Sequence, residues 1–251
     1  EVCESATKFR LDATNSNNII DALQNRFLQL DLADDYDLKE NLPDNISFIY
    51  GPPGTGKTTR VAEYVSKILT DADIHTNILI LTPTNKAADV MAEKLMEHEN
   101  CYDCLSRFGA TEDLNLQEQG IVSTRDTMDM NFFDKNVVVT TAARYPYDTV
   151  KPDDSCLCDY PWDYIIIDEA SMLDIVTLTY ILYKSKKAKF IISGDPMQIQ
   201  PVKQNDVYVE NIYQMLGINE LAHAKEDAGK YPLEALTLQY RSVPIIGDVV
   251  S

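Results

Sequence analysis

The chain has 251 residues, 45% of them hydrophobic, which is enough apolar material for one large α/β domain or two small ones with a core of their own. Its formal net charge of −18 argues against a broad nucleic-acid-binding face, which needs clustered Lys and Arg, and leaves room only for a narrow track. No apolar run approaches membrane-spanning length, so no membrane partner is expected.

The chain opens on Glu1 rather than Met, without a basic-then-apolar leader, and ends at Ser251 directly after the apolar stretch Val243 to Val250. These ends are expected of a piece of a longer protein. Residues 1–45 form a lead-in in which Asn18–Leu30 has helical spacing and Asp31 to Glu40 is an acidic, solvated run. Ile46–Tyr50 is an apolar run of strand length, and Lys57–Thr70 has helical composition. Further strands are predicted at Ile78–Thr82, Val137–Thr140, Tyr164–Asp168, Phe190–Ser193 and Ala235–Leu238, and further helices at Asn85–Glu97, Ile175–Tyr183 and Val207–Leu216. Short apolar runs alternating with amphipathic stretches predict an α/β fold with a mainly parallel central sheet covered by helices. The segments near 100–135 and 144–162 are acidic, Pro-bearing or poorly periodic, and are expected as insertions on surface loops.

Between the first strand and helix, residues 50–59 read YGPPGTGKTT, a complete GxxxxGK[ST] phosphate loop in the strand-to-helix context it requires. Gly51, Gly54 and Gly56 let the backbone curl so that consecutive amides point at an anion. Pro52 and Pro53 stiffen the entry. Lys57 brings a positive charge to the β- and γ-phosphates, and the Thr58 hydroxyl suits a Mg²⁺ ligand. The candidate nucleotide-binding set is therefore Gly51, Pro52, Pro53, Gly54, Thr55, Gly56, Lys57, Thr58, Thr59 and Arg60, with ATP and Mg²⁺ as the expected cofactors. A plain glycine-rich turn is the bland alternative.

Ile165-Ile166-Ile167 runs into Asp168-Glu169. At the end of a parallel strand beside the phosphate loop, Asp168 is expected to hold Mg²⁺ and Glu169 to orient and deprotonate the attacking water. Phe190–Ser193 ends in GDPMQIQP, where Gln198 is a candidate γ-phosphate sensor; a turn rich in Gly, Asp and Pro is the alternative. In Leu238-Gln239-Tyr240-Arg241-Ser242, Tyr240 offers a face for a nucleobase and Arg241 a fork for phosphate oxygens. Five cysteines stand at 3, 101, 104, 156 and 158. An odd count beside a nucleotide loop predicts reduced thiols in a soluble, cytoplasmic protein; a zinc site of Cys101, Cys104, Cys156 and Cys158 is the weaker alternative.

With the phosphate loop, TPTNKAAD, DEAS, GDPMQIQPV and QYRS in this order, residues 46–251 resemble superfamily 1 helicases, in particular the branch of the nonsense-decay RNA helicases and the RecD-like DNA helicases. The resemblance implies a three-layer, RecA-like P-loop NTPase fold over the whole chain as a single domain, the first of two motor domains, with the second absent. It implies that Tyr240 stacks on adenine, that Arg241 contacts the γ-phosphate, and that Asn18 is the nearest analogue of an adenine-reading residue. It also implies that Thr82, Pro83, Thr84 and Asn85, with Thr140 and Thr141, contact the backbone of single-stranded DNA or RNA. Helix capping by Thr84 or Asn85 is the alternative for that strip. The implied activity is ATP hydrolysis coupled to 5′–3′ movement on a single strand. A nucleotide-gated binding switch and an AAA-type ATPase are the alternatives.

Overall fold

The computed structural model describes residues 45–71, 75–124, 135–150, 155–196, 212–215 and 233–240. Among these residues ten strands and six α-helices follow in chain order. They are β1 (Ile46–Tyr50), α1 (Lys57–Asp71), β2 (Ile78–Thr82), α2 (Asn85–Met96), α3 (Glu99–Tyr102), β3 (Leu105–Phe108), α4 (Leu114–Glu118) and β4 (Val122–Ser123), then β5 (Val137–Thr141), β6 (Thr149–Val150), β7 (Ser155–Cys156), β8 (Tyr164–Ile167), α5 (Ile175–Lys184), β9 (Lys189–Gly194), α6 (Ile212–Met215) and β10 (Leu233–Ala235).

Eight strands form one parallel sheet in the order β10-β1-β9-β8-β2-β5-β3-β4. Its near-continuous apolar strands follow from burial on both faces. Because side chains alternate along a strand, the sheet sorts its residues into two cores. Phe48, Leu79, Leu81, Ile165, Ile167 and Ile192 pack with Leu178 and Ile181 of α5. Ile49, Ile78, Ile80, Ile166 and Ile191 pack against Val61, Ala62 and Val65 of α1 and Ala88, Met91 and Leu95 of α2. The result is the expected three layers.

The strands expected at Ile46–Tyr50 and Ile78–Thr82 have those bounds, those at Val137–Thr140 and Tyr164–Asp168 differ by a residue at the end, and that at Phe190–Ser193 is longer by a residue at each end. Two regions depart from expectation. The segment near 100–135 is not only surface insertion, since it supplies β3, which pairs with β5 inside the sheet, and β4 beside it. Only four residues long and carrying the buried Arg107, β3 lacks the apolar signature of its neighbours. The last strand lies at Leu233–Ala235 rather than Ala235–Leu238, as an edge strand where pairing with β1 rather than hydropathy decides the register. The segment near 144–162 carries the small antiparallel hairpin β6–β7.

Register brings the functional ends together. Tyr50 pairs with Gly194, Leu81 with Ile167 and Thr82 with Thr141, so the carboxyl ends of β1, β9, β8, β2 and β5 share one rim. Ligands of open parallel sheets bind at such rims. Among the described residues no helix is long and apolar enough to cross a membrane.

Candidate functional site

The turn from β1 into α1 holds two glycines at positive φ, Gly54 at 85° and Gly56 at 84°, a region that L side chains rarely adopt. These torsions wrap the loop around the first turn of α1. Inside it the Lys57 ammonium donates to the carbonyls of Gly51 (2.8 Å) and Pro52 (3.4 Å). The Gly51 amide donates to the Gly194 carbonyl at 3.3 Å, which ties the loop to the end of β9.

From α1 the Thr58 hydroxyl donates to Asp168 Oδ2 at 3.2 Å. Asp168 is 2% exposed, and its other oxygen, Oδ1, has no hydrogen-bond partner. Burial pushes its carboxyl above the ordinary value, opposed first by the nearby Ser193 hydroxyl and Glu169 backbone and then by the Lys57 charge and the Thr58 hydrogen bond. A buried carboxylate oxygen left without a donor, beside a threonine hydroxyl, is a donor set that fits Mg²⁺. Glu169 follows in the left-handed region, φ 52° and ψ 42°. It is the one non-glycine residue at positive φ among the described residues, and backbone strain of this kind concentrates at functional sites. The turn re-aims the second carboxylate: Asp168 stays in the core, whereas Glu169 lines the cavity beside the phosphate loop.

That cavity, about 720 Å³, is lined by residues 53–60 of the loop and α1 together with Glu63, Val90, Lys94, Glu169, Glu234, Leu236 and Tyr240. Tyr240 reaches it because the chain after β10 returns along the loop. The Leu236 amide donates to Tyr50 O at 2.7 Å, the Tyr240 amide donates to Gly54 O at 2.9 Å, and the Gln239 side chain donates to Pro53 O. The Tyr240 ring is 75% exposed and its edge lies about 4 Å from where a Cβ on Gly56 would stand. Phosphate loop, Glu169 and a free aromatic face thus share one crevice.

Arg60, expected as a nucleotide ligand, has its guanidinium committed to Glu234 and Glu63, both at 2.8 Å, over the ring of Tyr64. Thr59 is exposed on α1 and Thr55 donates back to Pro52 O. Gln198, Arg241 and Asn18 lie outside the described residues.

The strand-contact candidates divide. Thr82 and Thr140 are fully buried. Thr82 donates to the carbonyls of Thr84 and Thr140, and Thr140 donates to Phe108 O. Both hydroxyls are thus taken up by backbone carbonyls inside the sheet, where the expectation had them meeting a nucleic-acid backbone. Thr84 and Asn85 are exposed, Pro83 is half-buried and Thr141 is 7% exposed. The Thr84 hydroxyl also accepts from Ala87 N at 3.1 Å as the cap of α2, so capping and exposure coexist.

Sequence reading missed Glu63, Lys94 and Glu234 on the cavity wall, which no motif signals. It also gave no role to Tyr213. This ring is 2% exposed and tilted on Phe48, and its hydroxyl has no hydrogen-bond partner. Burial first, then the charges of Asp168, Glu169 and Asp195, push the phenol well above its ordinary value.

Residues 36–204 match the AAA domain family. Among curated proteins the chain is similar to the RecBCD enzyme subunit RecD of Buchnera aphidicola, 28% identical over 185 residues, covering 69% of this chain and 27% of that protein. It is also similar to the DNA replication ATP-dependent helicase/nuclease DNA2 of Saccharomyces cerevisiae, 29% identical over 216 residues, covering 83% and 13%. The chain spans about a quarter or less of these relatives' lengths. Among solved structures, the arterivirus nonstructural protein 10 helicase in complex with DNA aligns at 15% identity and a TM-score of 0.49, over 83% of this chain and 40% of that one. With the matched segment running from ahead of the phosphate loop to beyond the paired carboxylates, the chain belongs to the AAA domain family.

Proposed function

We propose that this chain binds and hydrolyses ATP as the first motor domain of a helicase or translocase acting on single-stranded nucleic acid. The observation that carries the reading is the convergence of the phosphate loop, Glu169 and the Tyr240 ring on one cavity, with Asp168 joined to the loop through Thr58.

In this reading the amides around Gly54 and Gly56 cradle the phosphates, and Lys57 moves from the loop carbonyls onto the β- and γ-oxygens. Thr58 and Asp168 are the residues that would hold Mg²⁺, which when bound would neutralise charge on the phosphate oxygens. Glu169, turned out by its left-handed backbone, accepts a proton from the attacking water. Tyr240 stacks on the base, and Arg60, fixed by Glu63 and Glu234, stiffens the adjoining wall. Gln198 as phosphate sensor, Arg241 as phosphate contact and Asn18 as base reader complete the proposal. Thr84 and Asn85, with Pro83 and Thr141, meet the strand backbone through neutral donors that read no sequence. A second RecA-like domain in the full-length protein supplies the opposing arginine and grip that stepping requires, and the direction of movement, from the resemblance of the motifs, is 5′–3′.

The test is ATPase activity of the full-length protein with and without single-stranded DNA and RNA, together with Glu169→Gln. Stimulation by a strand is expected. The substitution is expected to lower turnover by on the order of 10²–10⁴-fold with nucleotide affinity retained. No stimulation by either strand removes the motor reading, and undiminished turnover in the variant removes Glu169 as the base.

A further inference from the structure

Arg107 is the largest fully buried side chain of the described residues, and it is charged. Its Nε donates to Asp89 Oδ1 at 2.8 Å, one terminal nitrogen donates to Phe108 O at 2.6 Å, and the other donates to Asn85 O at 3.3 Å and Asn85 Oδ1 at 3.2 Å. The guanidinium thus joins β3 to the first turn of α2. Phe108 O also accepts from Thr140 of β5, so the ends of β3 and β5 and the start of α2 meet around one cation. Gly109 makes room for it. Its φ is 118°, and a Cβ there would stand 3.3 Å from the Arg107 terminal nitrogen and 2.9 Å from Arg144 Nε.

Burying an arginine is costly even when it is paired, and apolar replacements of buried ion pairs are often as stable or more so. Stability alone therefore does not account for it. The contact with Asn85 has a chemical consequence. Guanidinium has donors only, so the amide must turn its oxygen inward, and the NH₂ group is left on the far side of an exposed residue. An outward NH₂ is a donor for phosphate; a flipped amide would present an acceptor.

We propose that Arg107 is a positioning residue for nucleic acid: by holding Asn85 Oδ1 it fixes the Asn85 amide with its donor toward the strand. This rests on the strand-binding reading above. Arg107 acts through Asn85 and does not touch the strand.

The experiment measures affinity for a fluorescent single-stranded oligonucleotide in the full-length protein, with ATP-analogue affinity and thermal melting as controls. The variants are the apolar pair Arg107→Met with Asp89→Leu, then Asn85→Ala, then all three together, and separately Asn85→Asp. The apolar pair is expected to weaken strand binding about tenfold, the scale of one lost hydrogen bond, with ATP-analogue affinity unchanged. Asn85→Ala is expected to weaken it similarly, and the triple variant no further, because both act through one amide. Asn85→Asp keeps the acceptor for Arg107 and hence the fold, but replaces the outward donor with a carboxylate oxygen; it is expected to bind the strand more weakly than Asn85→Ala. If Asn85→Ala weakens binding and the apolar pair does not, or if the two losses add, this inference is overturned while the strand reading stands. If the apolar pair does not fold, Asn85→Asp decides, and binding equal to that of the parent overturns the proposal. Undiminished binding by Asn85→Ala overturns the strand reading at this strip and the inference with it.

Discussion

Cys101 lies wholly inside the core beneath α1 and α2, and burial first, then the neighbouring Cys104, push its thiol from 9.0 to about 12. Between these values the unfolded chain has released a proton that the folded chain retains. The folded state binds more protons there, so stability falls as pH rises from about 9 towards 12. A Cys101→Ala variant is expected to lose less stability over that window than the parent in denaturant titrations, and native Cys101 is expected to resist alkylation at pH 8.5. Rapid labelling of Cys101 without unfolding would contradict its placement. Gly194 and Tyr213 form a second residue-scale case, because a Cβ on Gly194 would stand 2.5 Å from the Tyr213 hydroxyl and 3.2 Å from Ala170 N. Gly194→Ala is expected to cost about 1–3 kcal/mol of folding stability by overpacking. Tyr213→Phe removes a buried hydroxyl that has no partner, so by itself it is expected to be neutral or stabilising by up to about 1 kcal/mol. Combined with Gly194→Ala it is expected to recover part of the loss. Destabilisation by Tyr213→Phe alone, measured by chemical denaturation, would show that the hydroxyl has a partner in solution.

At the scale of elements, α2 shows how one side chain serves two ends. Thr84, extended at φ −136° and ψ 156°, caps the helix by accepting from Ala87 N, and an accepting oxygen still has its own proton to donate outward. Thr84→Ala is expected to cost about 1 kcal/mol of stability, whereas Thr84→Ser is expected to retain both stability and strand affinity. A loss below about 0.3 kcal/mol for the alanine variant, well under the usual cost of a lost cap, would show that the cap carries little. The elements legible in sequence were those whose function and burial impose a pattern. The isoleucines of β8 run into two acids, and the phosphate loop fixes both the end of β1 and the start of α1. β3 was illegible because its third residue is a buried arginine whose partners, Asp89 and Asn85, lie far back in the sequence. Tyr213 was equally silent, since its place depends on a short helix bringing it to a glycine and carboxylates at the ends of distant strands. Thr82 and Thr140 were legible as a motif but not as to which way they face, because a strand end can turn a hydroxyl to solvent or to core.

For the whole molecule, net charge and local geometry bear on how a strand is held. The chain carries −18, and the exposed strip at the ends of β2 and β5 offers the neutral donors Thr84 and Asn85. Among the described residues two cations adjoin it in sequence, and each already has an acid. Lys86 lies 3.9 Å from Asp113, and Arg144 donates to Asp148 at 2.6 Å. Affinity for single strands falls with salt in proportion to the phosphates that cations neutralise, with a slope of about −0.7 for each in a plot of log affinity against log salt. Neutral hydroxyl and amide contacts release few counterions, and cations paired to carboxylates release less than bare ones. With two such cations on the strip among the described residues, the slope for this chain is expected to be no steeper than about −1.5, and Lys86→Ala is expected to flatten it by up to about 0.7. Oligonucleotide titrations between 50 and 300 mM salt, concentrations on the order of those over which such slopes develop, measure both quantities. A slope steeper than about −3, unchanged by Lys86→Ala, would place the strand on a basic track elsewhere and remove the rim of β2 and β5 as its path.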